Sequence, residues 1–356
     1  MTITFIKMKL LHLYHKTYNA GDGITNVVSN LSKYQNEIPH IESFHLAFSS
    51  DDKLKQKAEF KTISFFKLLF QIKSYSPDFI YVHGIFKIKS PILITSLKLM
   101  GFKIILVPHC SLMKRTILHK KIKKSIYLSI FKKISFQHVN FIQYLNKEEK
   151  NDSIFISNKI KTYILPNGVS VNTSIKQKNF KKIKPFYLGR CDIYHKGLDL
   201  LINSLNIFYK KTQSNILFNI YGADKKQIIE LKNLKPNKNI IIRPPIFGLK
   251  KEEVLESNNI FIMTSRYEGL PVSVLEALAY GNICLLTEGT NMAKIVKKYN
   301  CGFVIKNIND IYYTLNKIKN MPENELIEMS TNAKNLVNEN YNWQSIANLS
   351  IKKIIS

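Results

Sequence analysis

The chain is short of acid. Its 356 residues include 25 Asp and Glu against 53 Lys and Arg, a formal net charge of +28. A field of that sign attracts phosphate, whether in nucleic acid, an anionic membrane face or a diphosphate ligand. A compositional bias toward lysine accounts for the excess equally well. Cysteine is scarce too. Cys110, Cys191, Cys284 and Cys301 lie far apart, form no C-x-x-C and have no histidine at zinc-ligand spacing. This argues against a metal site built on them and for reduced thiols in a reducing compartment. No run approaches the roughly 20 apolar residues of a membrane span. The first apolar runs are broken by Lys7 and Lys9 and lack a signal peptide's long apolar core and cleavage site. A cytoplasmic protein is expected.

What the chain does have is regular alternation. Short apolar runs at 10–15, 43–48, 79–83, 103–107, 139–144 and 162–165 predict strands, with helical patterns between most of them. A second set follows at 186–188, 216–221, 240–243, 260–264, 283–287 and 303–305. Continuous apolar strands alternating with helices indicate parallel sheets covered on both faces. The polar, lysine-rich stretch 171–184 reads as a linker. The expected fold class is therefore α/β, with two doubly wound Rossmann-like domains at 1–170 and 185–335. They are expected to face each other across a cleft at the C-terminal ends of their strands, where such sheets bind ligands. The helical tail at 336–356, with the only tryptophan at 343, is expected to cross back onto the first domain.

Several segments carry residues suited to chemistry. SRYEGLPVSVLEALAYG, 265–281, reads as a loop opening a helix after a strand, with Pro271 suited to the first turn. A helix start binds anions through its amides and dipole. Glu268 sits at the tip and Glu276 about two turns further on. One could accept from sugar hydroxyls and the other from ribose; alone, the pair reads equally as a solvated and a capping glutamate. In LGRCDIYHKGLDLL, Arg190 and Lys196 put two cations at a strand's C-terminal edge. Fixed cations there stabilise a departing nucleoside diphosphate, although in so basic a chain surface charge is the bland alternative. Gly21 and Gly23 precede a helix starting near Ile24, and such glycines admit close approach of a ligand. LPNGV, 165–169, is a turn. His109 ends a strand in KIILVPHCSLMKR, and His83 ends another in YVHGIF; a lone histidine is more often structural.

The Glu pair in its Gly-Leu-Pro context resembles the family-4 retaining glycosyltransferases, which have the GT-B fold. The Gly-Arg…Lys-Gly pattern at 189–197 resembles that family's donor diphosphate segment. The Pro-His-x-Ser-Leu-Met context of His109 resembles transferases of capsule and lipopolysaccharide assembly, with Cys110 replacing the usual glycine. The resemblance implies that Glu268 contacts the donor sugar and Glu276 the ribose. It places the Gly269 and Leu270 amides against sugar or diphosphate, Arg190 and Lys196 on the diphosphate, Gly21 and Gly23 in a loop closing on the ligand, and His109 beside the donor sugar. His83 falls on the acceptor side. The implied reaction moves a sugar, with retention, from a nucleotide-sugar donor, UDP-sugar first, to a saccharide or lipid-linked acceptor in bacterial surface polysaccharide synthesis. The nucleotide-sugar is a substrate, and no D-x-D motif is present to hold a metal on it, so metal-independent turnover without a cofactor is expected.

Between 114 and 133, Lys114, Arg115, Lys120, Lys121, Lys123, Lys124, Lys132 and Lys133 occur without an acid, while Leu118, Ile122, Ile126 and Ile130 recur every fourth position. This predicts a basic amphipathic helix. Its apolar face belongs either in the core or on anionic lipid, which would hold the protein peripherally on the inner face of the membrane. A sugar-nucleotide epimerase or hydrolase on the same fold is the alternative enzyme. A nucleic-acid-binding protein is the alternative from charge, but no nucleic-acid-binding motif is recognised, and nucleic acid is not expected as a partner.

Overall fold

The computed structural model describes residues 7–15, 23–48, 65–86, 90–118, 121–154, 156–171, 177–307 and 309–355. Six strands form the first sheet: β1 (Met8–His15), β2 (Ile41–Phe48), β3 (Phe79–His83), β4 (Lys103–Val107), β5 (Phe141–Tyr144) and β6 (Lys161–Ile164). The second holds β7 (Pro185–Leu188), β8 (Phe218–Tyr221), β9 (Ile240–Arg243), β10 (Ile260–Met263), β11 (Ile283–Thr287) and β12 (Gly302–Ile305). Every ladder in both is parallel. The central strands β3, β7 and β10 are buried along their whole length. That is why they read as unbroken apolar runs rather than alternating ones.

The first sheet has the order β2-β1-β3-β4-β5-β6 and the second β12-β11-β10-β7-β8-β9. In the second sheet the order, counted from β7, is that of the dinucleotide-binding fold. In each sheet the direction of winding reverses once, between β1 and β3 and between β7 and β10.

Contacts divide the chain into one unit of Met1–Asn167 with Trp343–Ser356 and another of Gly168–Asn342. In the first, Leu11, Leu13, Ile80, Val82, Ile104, Leu106 and Ile142 of the strands pack on Leu68, Ile72, Leu93, Leu97, Leu128 and Phe131 of the helices. The helix Trp343–Ile355 packs on the helix Gly23–Gln35 of the same unit. Trp343 stacks on Tyr34, with ring centroids 6.4 Å apart.

The returning tail is shorter than the sequence suggests. Residues 336–342 stay in the second unit, because the helix Glu323–Asn340 is continuous and buries Leu326, Met329, Ala333, Leu336 and Val337. The expected linker is also partly structured. Phe180 is buried. Lys178 Nζ donates to the carbonyls of Leu255, Glu256 and Asn258 at 2.5, 2.8 and 2.5 Å, capping the helix Leu249–Ser257. A lysine-rich sequence gives no sign that one lysine plugs a helix end.

The predicted basic helix is two helices, Lys114–Leu118 and Lys121–Ile134. Leu128 and Phe131 of the second face the core. The stripe of Leu118, Ile122, Ile126, Ile130 and Ile134 faces outward, from 44% exposed at Ile134 to 77% at Ile122. No helix among the described residues is long and apolar enough to cross a membrane.

Candidate functional site

Two segments meet where the winding of the second sheet reverses. The first leaves β7 and the second leaves β10, neighbouring strands in the sheet. After β7 the chain exposes Arg190, whose guanidinium has no protein hydrogen bond or ion pair among the described residues. Asp192 then caps a single helical turn, Ile193–Lys196, by accepting from His195 N at 2.7 Å. Gly197 ends that turn with φ +62° and opens the helix Leu198–Thr212. Only glycine fits there, since a Cβ would lie 2.1 Å from the carbonyl oxygen of Thr264.

The β10 segment is pinned onto this turn. Thr264 Oγ1 donates to the Gly197 carbonyl at 2.8 Å, and Arg266 N donates to the His195 carbonyl at 3.0 Å. The Arg266 guanidinium grips both Asp199 oxygens at 2.8 and 2.6 Å and lies over the Tyr194 ring. A planar bidentate fork fixes direction as well as distance. Asn291 Nδ2 donates to the carbonyls of Glu268 and Gly269 at 2.6 and 3.3 Å, holding the loop from below. Pro271 is the residue before the helix Val272–Ala279 rather than within its first turn.

These constraints bring together Lys196 and Glu268, 72 residues apart. Lys196 Nζ donates to Glu268 Oε1 at 2.5 Å and Ser265 Oγ donates to the same oxygen at 2.8 Å. His195 Nε2 lies 3.7 Å from it and donates to the Tyr267 carbonyl at 2.8 Å, with its ring stacked on Tyr267. Burial works against the Glu268 carboxylate, but the Lys196 charge and the bonds from Lys196 and Ser265 outweigh it and hold the carboxyl below its usual range. Burial lowers His195, so the ring stays a neutral donor through Nε2. Sequence reasoning missed His195, Ser265, Asn291 and the Arg266–Asp199 clasp. Only the adjacency of His195 to Lys196, and of Ser265 to the Glu268 loop, marks them in the sequence.

Glu276 is elsewhere engaged. Lys251 Nζ donates to its Oε1 at 2.7 Å. Lys251, from the helix Leu249–Ser257, carries no motif and was not anticipated. Gly269 and Leu270 lie in the loop leading to the helix Val272–Ala279, with Leu270 buried. The other expected residues are in the first unit. Gly23 is the first residue of its helix, and Gly21 lies outside the described residues. His109 follows β4 and hydrogen-bonds to His83. Among the described residues no group of three or more His, Cys, Asp or Glu side chains is arranged for a metal ion.

The glycosyl transferases group 1 family matches residues 171–343. That stretch is a group 1 glycosyl transferase domain. Its limits nearly coincide with those of the second unit, so the Lys196–Glu268 pair belongs to the group 1 domain and His109 to the other unit. Two curated relatives are a UDP-Gal:α-D-GlcNAc-diphosphoundecaprenol α-1,3-galactosyltransferase of Escherichia coli and an uncharacterized glycosyltransferase of Methanocaldococcus jannaschii. The first is 23% identical over 198 residues, 51% of this chain and 51% of that protein. The second is 25% identical over 228 residues, 60% of this chain and 57% of that protein. The chain thus spans about half the length of the curated relatives it matches. Among solved structures, sucrose-phosphate synthase of Thermosynechococcus elongatus superposes with a TM-score of 0.75 over 98% of both chains at 13% identity. That likeness establishes the GT-B fold.

Proposed function

We propose that the chain is a retaining glycosyltransferase that takes a sugar from a nucleoside-diphosphate donor, UDP-sugar first. The observation that carries this reading is the buried Lys196–Glu268 pair at the strand reversal of the group 1 domain, the place where such sheets bind nucleotides. Glu268 is held ionised and can accept from sugar hydroxyls. Lys196 and the exposed Arg190 supply positive charge to the departing diphosphate, so turnover needs no metal or cofactor. The Gly269–Leu270 segment leads into the helix whose N-terminal dipole favours the diphosphate. Glu276 takes the ribose hydroxyls, exchanging its bond to Lys251 for them. The acceptor hydroxyl attacks the anomeric carbon from the face the diphosphate leaves.

The acceptor is a saccharide or lipid-linked saccharide of bacterial surface polysaccharide synthesis, on the cytoplasmic side of the membrane. The name of the Escherichia coli relative, which acts on a diphosphoundecaprenol-linked sugar, supports this. So does the outward stripe at 118–134, apolar and flanked by lysine, which suits an anionic lipid surface better than water.

The experiment is a thermal-shift series with UDP, GDP, ADP and CMP, each free and as its sugar conjugate. A ligand that binds only the folded state raises the melting temperature. UDP is expected to raise it and Glu276→Ala to abolish the rise. Absence of a shift with every nucleotide would overturn the reading.

A further inference from the structure

Three histidine rings span the strand reversal of the first sheet. His12 lies on β1 opposite Tyr81 of β3, and His83 ends β3 opposite Val107 of β4. His109 follows β4 by two residues. His12 Nδ1 is 3.0 Å from His83 Nε2, and His83 Nδ1 is 2.9 Å from His109 Nε2. At the inner end His12 Nε2 is 2.9 Å from Gln35 Oε1. Tyr81 stacks on His12 at 4.3 Å between ring centroids.

The direction of this chain is set at its buried end. Ser350 Oγ donates to the Ala347 carbonyl at 2.6 Å, so it accepts from Gln35 Nε2 at 2.9 Å. That orients the amide, and Gln35 Oε1 also accepts from Ser43 Oγ at 2.8 Å. An amide oxygen only accepts, so His12 carries its proton on Nε2. A neutral imidazole has one N–H. His12 Nδ1 therefore accepts from His83 Nε2, and His83 Nδ1 accepts from His109 Nε2. The chain ends in a bare lone pair on His109 Nδ1, which has no hydrogen-bond partner among the described residues. The rings are neutral: burial lowers His12 and His109 to about 4, and burial with the neighbouring rings holds His83 well below its usual value.

The turn that carries His109 is clamped independently. His109 and Cys110 both have left-handed backbones, φ 48° and 60°. Cys110 N donates to Glu149 Oε1 at 2.5 Å and Leu145 N to Glu149 Oε2 at 2.6 Å. The backbone is thus fixed by Glu149, and the ring by His83.

We propose that His12 and His83 are positioning residues for His109: the chain from Gln35 holds that ring in one orientation and one tautomer, with Nδ1 as an acceptor for a ligand hydroxyl. Such a nitrogen selects a neutral donor group and repels phosphate and carboxylate oxygens. Only the ligand's identity as a sugar rests on the proposed function; the tautomer does not.

Long-range proton–nitrogen NMR on protein with 15N-labelled histidine tests this. At pH 7 all three rings should show a protonated Nε2 and a bare Nδ1. His83→Phe should release His109 into mixed tautomers, and His83→Gln, whose amide can donate to His12 and accept from His109, should restore the single one. With a UDP-hexose, turnover should fall tenfold or more in His83→Phe and recover in His83→Gln. A wild-type His109 protonated on Nδ1, His109 signals indifferent to His83→Phe, or equal loss of turnover in both variants would overturn the proposal. If His83→Phe does not fold, the wild-type spectrum still decides. A wild type with these tautomers but no UDP-hexose turnover would sink the proposed function and leave the histidine chain standing.

Discussion

Lys196 Nζ lies 2.5 Å from Glu268 Oε1, with the two side chains 10% and 9% exposed. Either charge alone would be costly there, because desolvation of one ion exceeds what the surrounding dipoles return.

The first prediction follows from that dependence. Lys196→Met should cost about 3–5 kcal/mol, the usual penalty for leaving a buried charge unpaired. Adding Glu268→Gln should recover part of the loss. Urea unfolding of the two single variants and the double checks this; an unchanged midpoint for Lys196→Met would show that the pair is not buried in solution.

Gly197→Ala should be disruptive at a site where alanine is chemically mild. The backbone there is left-handed, and the added methyl would lie 2.1 Å from the Thr264 carbonyl oxygen. Positive φ alone costs about 1 kcal/mol or more, and the clash pushes the β7 and β10 segments apart. Turnover should fall along with melting temperature. Wild-type values of both would refute the interlock.

Stability should fall as the solution is acidified from pH 7 toward pH 4. Burial lowers His12 and His109 to about 4 and lowers His83, His45 and His195 as well, whereas an unfolded histidine takes its proton near 6.5. Between those values the unfolded chain binds protons that the native chain refuses, so stability drops with pH. Burial lifts Glu149 to about 7, outweighing its bonds from Leu145 and Cys110. It works in the opposite direction over pH 7 to 4.5, but as one group against five histidines. Calorimetry at pH 7 and pH 5 tests the sign; an equal or higher melting temperature at pH 5 would contradict it.

The outward stripe predicts surface behaviour without a stability effect. Ile122→Ser with Ile126→Ser and Ile130→Ser should leave the melting temperature nearly unchanged, since all three side chains are exposed. Flotation with phosphatidylglycerol vesicles should weaken severalfold. Equal flotation of variant and wild type would remove the stripe from any membrane role.

The strands were the most legible part of the molecule. All twelve lie where apolar runs stood, and β3, β4, β9 and β11 have the predicted limits, because parallel strands buried on both faces leave no other pattern. The pairing of Lys196 with Glu268 was not legible. It depends on β7 and β10 being neighbours, which follows from sheet order rather than from either segment. Glu276 shows the reverse: its motif is plain, but its partner Lys251 comes from a helix without one. His12 was invisible for a third reason. A histidine inside an apolar strand looks structural until His83 and His109 are seen stacked beside it.

The most direct test of the central claim is UDP-hexose turnover by Glu268→Gln, with folding checked by melting temperature. The substitution keeps the shape and removes the charge that faces Lys196. Turnover should fall a hundredfold or more in a protein that is still folded. Wild-type turnover in that variant would mean that the pair holds the loop together and takes no part in sugar transfer.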